Sequence, residues 1–151
     1  MNICIVGTGY VGLVTGACFA DHGHRVTCVD YDQSKVDSIR NGIAPIHEIS
    51  LDQLLARTIG RTLFAQTGLE GAAGEADLVL ICVGTPFRDG SIDLSQVIDA
   101  AEQIGIILQQ SKNYKVVAVK STVIPGTTDG IVRNILKAHR VLRLVKILGL
   151  A

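Results

Sequence analysis

The sequence predicts an α/β fold in which helices cover both faces of a doubly wound parallel sheet. Three observations support this prediction: strand and helix signals alternate from the first residue, a glycine-rich turn joins the first strand to the first helix, and one apolar run suits a strand buried on both faces. Parallel strands joined by helices have right-handed crossovers. At 151 residues the chain suits a single domain, without internal repeats or low-complexity segments.

The predicted elements of the first half have clear boundaries. They are a strand over residues 2–6, a helix over about 11–22, a strand over 25–29, a helix from 32 to 40 and a short helix from about 50. Gly23 and Gly42 follow the first two helices, where glycine commonly ends a helix. Asp32 is a suitable N-cap for the second helix, and Ser50 with Gln53 has the capping-box spacing for the third.

The second half continues the alternation. Its predicted elements are a weak strand over residues 62–66, a strand within 77–83, a helix opened by Asp93, a strand over 115–119, and a helix from Pro125 and Gly126 to about residue 138. Residues 77–83 are almost continuously apolar, so we place this strand at the centre of the sheet. The helix after Asp93 carries apolar residues at helical spacing. These are Val97, Ile98, Ala101, Ile104 and Leu108.

The first strand leads directly into a G-x-G-x-x-G turn formed by Gly7, Gly9 and Gly12. The first glycine permits a tight turn, the second allows a pyrophosphate to approach the backbone, and the third lets helix and strand pack closely. The backbone amides of Tyr10 and Val11, at the start of the helix, are placed to face the phosphates. In this strand-turn-helix context the motif predicts a dinucleotide site.

An acidic residue follows the second strand. Asp30 comes eighteen positions after Gly12, at the place of the acid that binds the adenosine ribose in such sites. The alternative is an exposed acid at a strand end without a ligand. A fixed carboxylate there disfavours the extra phosphate of NADP by charge repulsion, so we expect NAD as the cofactor.

Charge and composition exclude several classes of partner. Fourteen basic residues balance fourteen acidic ones, so no broad electrostatic field would recruit nucleic acid or an anionic membrane. No segment approaches the roughly 20 apolar residues of a membrane helix. The opening stretch is too short and lacks the basic leader of a signal peptide. We therefore expect a cytoplasmic protein.

The four cysteines show neither C-x-x-C nor Cys/His ligand spacing, so we expect no metal site. They are Cys4, Cys18, Cys28 and Cys82. All four fall within apolar runs, and we interpret them as small buried hydrophobic residues. A catalytic thiol needs an exposed, electropositive setting, which none of these positions predicts.

Five motifs, in order along the chain, resemble the N-terminal domain of the UDP-glucose/GDP-mannose dehydrogenase family. They are the glycine-rich turn over residues 7–13, the second strand and helix over 23–36, the loop over 42–48, the strand end Ile81-Cys82-Val83-Gly84-Thr85-Pro86, and the segment 120–127, which begins Lys120-Ser121-Thr122. The resemblance covers about residues 1 to 130. It implies a Rossmann-type fold with NAD as cofactor.

The resemblance also implies an activity. Family members oxidise the primary alcohol of a nucleotide sugar through the aldehyde to a carboxylate, using two NAD in succession, and UDP-glucose is the substrate we expect. A cysteine on a later domain holds the aldehyde, and full-length members are generally homo-oligomers. We recognise no central or C-terminal nucleotide-sugar domain in this sequence. We therefore expect the chain to bind NAD without completing the reaction.

The same resemblance implies roles for residues beyond the glycine-rich turn. The further residues expected at the cofactor are Lys35, Gly84, Thr85, Pro86, Ser121 and Thr122. Lys35 would reach the adenosine ribose, and Thr122 would position a water or the reacting oxygen of the substrate. A solvated surface lysine and helix-capping hydroxyls are the alternative interpretations.

The last residues depart most from the family pattern. We expect the domain to cover residues 1–138 and a divergent tail to cover 139–151, where family members would have a sixth strand. Lys137, Arg140, Arg143 and Lys146 recur every three residues among apolar residues there. A truncated or frame-shifted product is one hypothesis, and a helix with a basic and apolar contact surface is the other.

Other functions share part of this pattern. The first is a non-catalytic dinucleotide-sensing Rossmann module, and the second is a dehydrogenase of another substrate class, such as a hydroxyacyl-CoA or phosphogluconate. Within the family, GDP-mannose or a UDP-aminosugar could replace UDP-glucose. The presence of both Gly84-Thr85-Pro86 and Lys120-Ser121-Thr122 favours a nucleotide-sugar dehydrogenase.

Overall fold

The computed structural model describes residues 1–88, 90–111, 113–139, 141 and 145–149, the last range by its backbone alone. Its strands are β1 (Asn2–Val6), β2 (Arg25–Val29), β3 (Leu63–Gln66), β4 (Leu78–Ile81), β5 (Phe87–Arg88), β6 (Ser91–Ile92), β7 (Lys115–Val119) and β8 (Val145–Gly149). Its helices are α1 (Tyr10–Asp21), α2 (Gln33–Arg40), α3 (Leu51–Thr58), α4 (Glu70–Glu75), α5 (Ser95–Leu108) and α6 (Arg133–Ala138). A π-helical segment, Thr127–Val132, leads into α6.

Six strands form one parallel sheet in the order β3-β2-β1-β4-β7-β8. The chain begins near the centre and builds the sheet outward first on one side and then on the other, which confirms the doubly wound fold predicted from the sequence. The strand order reverses between β1 and β4, and such a reversal opens a crevice at the carboxyl ends of the strands. The short strands β5 and β6 form a separate antiparallel hairpin.

Helices cover both faces of the sheet, and each layer encloses its own apolar core. Helices α1, α2 and α3 cover one face, where Leu13 and Leu55 are completely buried. Helices α4, α5 and α6 cover the other, where Ile104 and Leu136 are completely buried. Within the described ranges, no helix combines the length and the apolar character needed to cross a bilayer.

The structure confirms the central position predicted for β4. This strand pairs with β1 on one side and with β7 on the other. Val79 and Ile81 belong to the core beneath α5, and Leu80 belongs to the core beneath α1. Because both faces of β4 are covered, its sequence is continuously apolar instead of alternating.

The helix predicted from Ser50 is present as α3, but the predicted capping box is wrong. Ser50 has a φ of 67°, in the left-handed region, and its side chain makes no capping hydrogen bond. The Asp52 carboxylate instead accepts a hydrogen bond from the backbone N–H of Ala44 at 3.2 Å. Asp32, in contrast, caps α2 as predicted, by accepting hydrogen bonds from two backbone N–H groups of the first turn.

The chain returns to the sheet after α6. Residues 145–149, as β8, pair with all five residues of β7. The helix hypothesis for the tail is therefore wrong for these residues, and the sheet continues beyond residue 138, where we expected the domain to end. Arg140 and Arg143, part of the basic pattern behind that hypothesis, lie outside the described residues.

Three of the four cysteines are buried as predicted, but the prediction is wrong for Cys18, which lies on the exposed side of α1. Burial raises the pKa of the Cys4 thiol to about 12 and that of Cys82 to about 11. Burial also raises the pKa of Cys28 well above its usual range. Since the thiolate is the reactive form, these three thiols are protected both by their surroundings and by their protonation.

Thiol labelling tests this difference. In the folded chain at neutral pH we expect one thiol, Cys18, to react rapidly with a chromogenic disulfide reagent, and all four to react in denaturant. The matched control is Cys18→Ser, which should remove the rapid phase and leave the slow one unchanged. Two or more rapid thiols in the folded wild-type chain would contradict the buried positions of the other cysteines.

Candidate functional site

A cleft of about 780 Å³ opens at the carboxyl ends of β1, β2 and β4, where the strand order reverses. Open α/β sheets bind their ligands at this position. The structure brings ten predicted cofactor residues to its walls. They are Gly7, Gly9, Tyr10, Val11, Asp30, Lys35, Gly84, Thr85, Ser121 and Thr122.

Gly7 makes the sharp exit from β1. Its φ is +98°, and a Cβ there would lie 2.8 Å from the carbonyl oxygen of Cys82 and 3.0 Å from the Cα of Val83. Its N–H donates a hydrogen bond to the carbonyl oxygen of Val29 at 2.8 Å, which ties the turn to the end of β2. Glycine alone combines this backbone conformation with so close an approach.

Gly9 and Gly12 meet two different requirements. A Cβ on Gly9 would have no atom within 4 Å, so the space in front of this residue is open, and Gly9 is the N-cap of α1. A Cβ on Gly12 would lie 1.9 Å from the carbonyl oxygen of Gly7. Gly12 is not in the cleft wall, so it contributes close packing of α1 against the turn. The open cradle at Gly9 fits a pyrophosphate, which the N–H groups at a helix N-terminus bind.

Asp30 directly follows β2 and is only 6% exposed, with its side chain in the cleft wall. Its Oδ2 accepts hydrogen bonds from the Thr8 backbone N–H at 2.8 Å and from the Thr8 hydroxyl at 2.6 Å. Its Oδ1 accepts a weaker hydrogen bond from the backbone N–H of Asp32 at 3.1 Å. These donors hold the carboxylate in one orientation at the place predicted for a ribose-binding acid.

Lys35, in the first turn of α2, also lines the cleft. Its Nζ lies 3.9 Å from Asp30 Oδ2, and its side chain is 36% exposed. This separation allows electrostatic attraction but is too long for a direct hydrogen bond. The ammonium group thus has donors available for a ligand beside the carboxylate.

The hydroxyls expected near the nicotinamide differ in their bonding. The Thr85 hydroxyl donates to the carbonyl oxygen of Thr122 at 2.7 Å, and the Ser121 hydroxyl donates to the carbonyl oxygen of Val83 at 2.7 Å. These bonds join the loops after β4 and β7, and each uses the one proton that its hydroxyl can donate. The Thr122 side chain is exposed in the cleft and makes no hydrogen bond to another described residue.

The structure does not bring Pro86 to the cleft wall, although we expected it at the cofactor. Its carbonyl oxygen accepts a hydrogen bond from the backbone N–H of Asp93 at 2.8 Å. Pro86 thereby fixes the β5–β6 hairpin against the residues that lead into α5. Within this loop, Gly84 and Thr85 line the cleft, whereas Pro86 supports the loop from outside the cleft.

Sequence reasoning missed one wall of the cleft. Gln96, Asp99 and Gln103 line it from one side of α5, and Thr67 and Leu69 line it from the segment after β3. The spacing of the three polar residues is helical and visible in the sequence. A polar stripe of this kind usually faces bulk solvent, and the helix sequence alone does not indicate that it faces a cleft.

Cys82 is the one cysteine among the described cleft residues. It is 6% exposed, and burial raises its pKa to about 11, although the nearby Lys120 opposes this effect. A thiol that stays protonated at neutral pH and is shielded by its neighbours is a poor nucleophile. Cys82 therefore contributes to the floor of the cleft and not to covalent chemistry.

The amino-acid sequence is similar to those of known proteins. A sequence model described as the UDP-glucose/GDP-mannose dehydrogenase family, NAD binding domain, matches residues 1–147. The UDP-glucose 6-dehydrogenase YwqF of Bacillus subtilis is 43% identical over 142 residues, and the UDP-glucose 6-dehydrogenase of Rhizobium meliloti is 47% identical over 139. These matches cover 92% and 89% of this chain, and 31% of each relative. The chain thus spans about a third of the length of the curated relatives that it matches.

Two solved structures are closely similar over nearly the whole chain. A ternary complex of GDP-mannose dehydrogenase from Pseudomonas aeruginosa superposes with a TM-score of 0.92 at 33% identity, covering 97% of this chain and 35% of that one. A UDP-glucose dehydrogenase from Pyrobaculum islandicum superposes with a TM-score of 0.91 at 35% identity, covering 98% and 35%.

Proposed function

Because the chain belongs to the UDP-glucose/GDP-mannose dehydrogenase family and matches its NAD-binding domain, we propose that its cleft holds NAD for the oxidation of a nucleotide sugar. The observation that carries this proposal is the open cradle at Gly9 beside the fixed carboxylate of Asp30, both in one cleft. When bound, NAD supplies the hydride acceptor for oxidation of an alcohol. The protein's contribution is to bind, orient and select that group.

Each wall of the cleft has a part in this proposal. The N-terminus of α1 behind Gly9 binds the pyrophosphate through backbone N–H groups. Asp30 and Lys35 bind the adenosine ribose, since a carboxylate and an ammonium lie side by side there. Thr85 and Thr122 line the part of the cleft beyond β4 and β7, where the reacting groups would meet.

The exposed hydroxyl of Thr122 suits it for positioning a water or the reacting oxygen of the substrate. It can both donate and accept a hydrogen bond without bringing a charge into the cleft. Correct orientation of reacting groups lowers a barrier by several kcal/mol when the geometry is close to that of the reaction. Thr122 would act in this way and not as an acid or base.

We propose UDP-glucose as the substrate of the complete enzyme. The relatives named UDP-glucose 6-dehydrogenase are 43% and 47% identical to this chain. A GDP-mannose 6-dehydrogenase from Pseudomonas syringae is 38% identical over 139 residues, which makes GDP-mannose the second candidate. Higher identity in the shared domain supports the first candidate.

We further propose that the described residues bind NAD without completing the oxidation. The later oxidation to an acid needs a nucleophile, and Cys82 is buried with a raised pKa.

Titration calorimetry and absorbance at 340 nm test this function together. We expect NAD to bind with a micromolar-to-millimolar Kd, NADP to bind at least about tenfold more weakly because of repulsion by Asp30, and UDP-glucose to bind little. No NADH should form when the chain is mixed with NAD and UDP-glucose or GDP-mannose. Failure to bind NAD would refute the cofactor site. Formation of one NADH per sugar by the chain alone would refute the expectation that it oxidises no nucleotide sugar, and formation of two would also refute the proposed lack of a nucleophile.

A further inference from the structure

We propose that Thr8 is a positioning residue, which acts through Asp30 to make the cleft selective for a ribose 2′-hydroxyl. Thr8 stands between the first two glycines of the turn and is completely buried. The inference rests on the proposed NAD site and names the residue that sets its selectivity. Glycine-turn motifs specify only glycine positions, so nothing in the motif itself assigns a role to this side chain.

Thr8 supplies both of the short hydrogen bonds that Asp30 receives. Its backbone N–H and its hydroxyl donate to the same carboxylate oxygen, Oδ2, at 2.8 and 2.6 Å. Oδ1 receives one longer bond, from the Asp32 backbone N–H at 3.1 Å. A hydroxyl-to-carboxylate bond of this length is charge-assisted and strong. The carboxylate is thus anchored at one oxygen and retains acceptor capacity at the other.

The backbone and the side chain of Thr8, which hold the Asp30 carboxylate, are both rigid. The turn is held against β2 by the bond from Gly7 N–H to the Val29 carbonyl oxygen at 2.8 Å. Threonine is β-branched, so its side chain has few rotamers to exchange. A carboxylate that already has its bound orientation loses little conformational entropy when a ligand arrives.

Thr8 also keeps the neighbouring cation available to a ligand. Lys35 Nζ lies 3.9 Å from Oδ2, the oxygen that Thr8 occupies. Without the Thr8 hydroxyl, Oδ2 would retain only one donor, and the flexible lysine could close the remaining distance and form a direct ion pair. That closure would remove from the cleft both the acceptor and the donor that face the ribose. Thr8 therefore keeps the Asp30 carboxylate and the Lys35 ammonium apart, so that both remain available to the ribose.

Binding of three ligands to three chains tests the proposal. The ligands are NAD, its analogue without the adenosine 2′-hydroxyl, and NADP; the chains are wild type, Thr8→Val and Thr8→Ser. Thr8→Val has nearly the same shape but no hydroxyl, whereas Thr8→Ser keeps it. We expect wild type to prefer NAD over the deoxy analogue by about tenfold or more, the usual worth of a hydrogen bond to a charged group.

In Thr8→Val we expect that preference to fall below about threefold, and the preference for NAD over NADP to shrink with it, while the Kd of the deoxy analogue changes less than about twofold. Thr8→Ser should retain the wild-type preferences.

If Thr8 had only a structural role, Thr8→Val would weaken the binding of all three ligands by the same factor. That result would overturn the proposal, and so would an unchanged preference for NAD over the deoxy analogue in Thr8→Val. Should circular dichroism show Thr8→Val unfolded, Thr8→Ala removes the same hydroxyl without risk of overpacking and is judged by the same ratios. Wild type that binds no NAD at all would refute the cofactor site instead.

Discussion

Replacement of Gly12 by alanine is expected to lower the free energy of unfolding by at least about 2 kcal/mol and to abolish NAD binding. The added Cβ would lie 1.9 Å from the carbonyl oxygen of Gly7 and 3.1 Å from the Cβ of Cys82. The closest of these atoms belongs to the backbone, so α1 must move away from the turn. Overpacking of this kind commonly costs about 1–3 kcal/mol, and more where backbone must shift. Urea unfolding followed by circular dichroism measures the loss.

Two other glycines provide matched controls. Gly9→Ala places its Cβ in open space, so the fold should lose less stability than in Gly12→Ala, with only the modest cost of alanine at an N-cap. NAD should nevertheless bind more weakly, because the methyl group occupies the pyrophosphate cradle. Gly71→Ala, in α4, is also unobstructed and lies away from the glycine-rich turn, so it should leave NAD binding unchanged and stabilise the helix slightly. A Gly12→Ala chain as stable as wild type would show that α1 does not pack on the turn as closely as the structure indicates.

Replacement of Asp30 by asparagine is expected to weaken NAD binding by about 10- to 100-fold, the worth of a hydrogen bond to a charged group. Asparagine keeps the size of the side chain but presents an amide where the ribose hydroxyl meets a carboxylate oxygen. The same change removes the negative charge that repels a 2′-phosphate and leaves Lys35 beside it. The ratio of NADP to NAD affinity should therefore rise, which calorimetry with both cofactors measures.

Asp32→Asn is the matched control for this substitution. Asp32 is two residues away, and its carboxylate accepts hydrogen bonds from the first turn of α2. The Ser34 hydroxyl, which donates to it, is the main reason that its pKa lies below the usual range. Asparagine is also a good N-cap, so both the fold and the cofactor preference should persist. Equal effects of the two substitutions would point to net charge instead of a specific ribose contact.

Local sequence patterns were sufficient to predict an element where the pattern lies within that element or directly beside it. The apolar runs that predict β1, β2 and β7 have the same bounds in the structure as in the sequence analysis. Asp32 caps α2 as predicted, because an N-cap acts on the residues immediately after it. Shorter elements carry no such pattern: α4 contains two glycines in six residues, and β5 and β6 have two residues each, so none of these three was predicted.

Predictions from local sequence patterns were wrong where contacts with distant segments determine the structure. The capping-box spacing at Ser50 is present, yet the backbone there is left-handed and the serine does not cap. Cys18 lies in an apolar run, but the rotation of α1 on the sheet leaves it exposed. Residues 145–149, for which a helix was one of two hypotheses, join the sheet as β8, because β7 offers them a full row of backbone partners.

By itself, the sequence determined the alternating strands and helices, the glycine turn and the acid that follows β2, since each depends on residues that are neighbours along the chain. Only the tertiary structure decided that Thr8 holds Asp30, that α5 turns Gln96, Asp99 and Gln103 toward the cleft, and that Pro86 stays outside it. These features depend on how elements far apart in sequence pack together. Spacing along one strand or helix carries no information about the orientation of its neighbour.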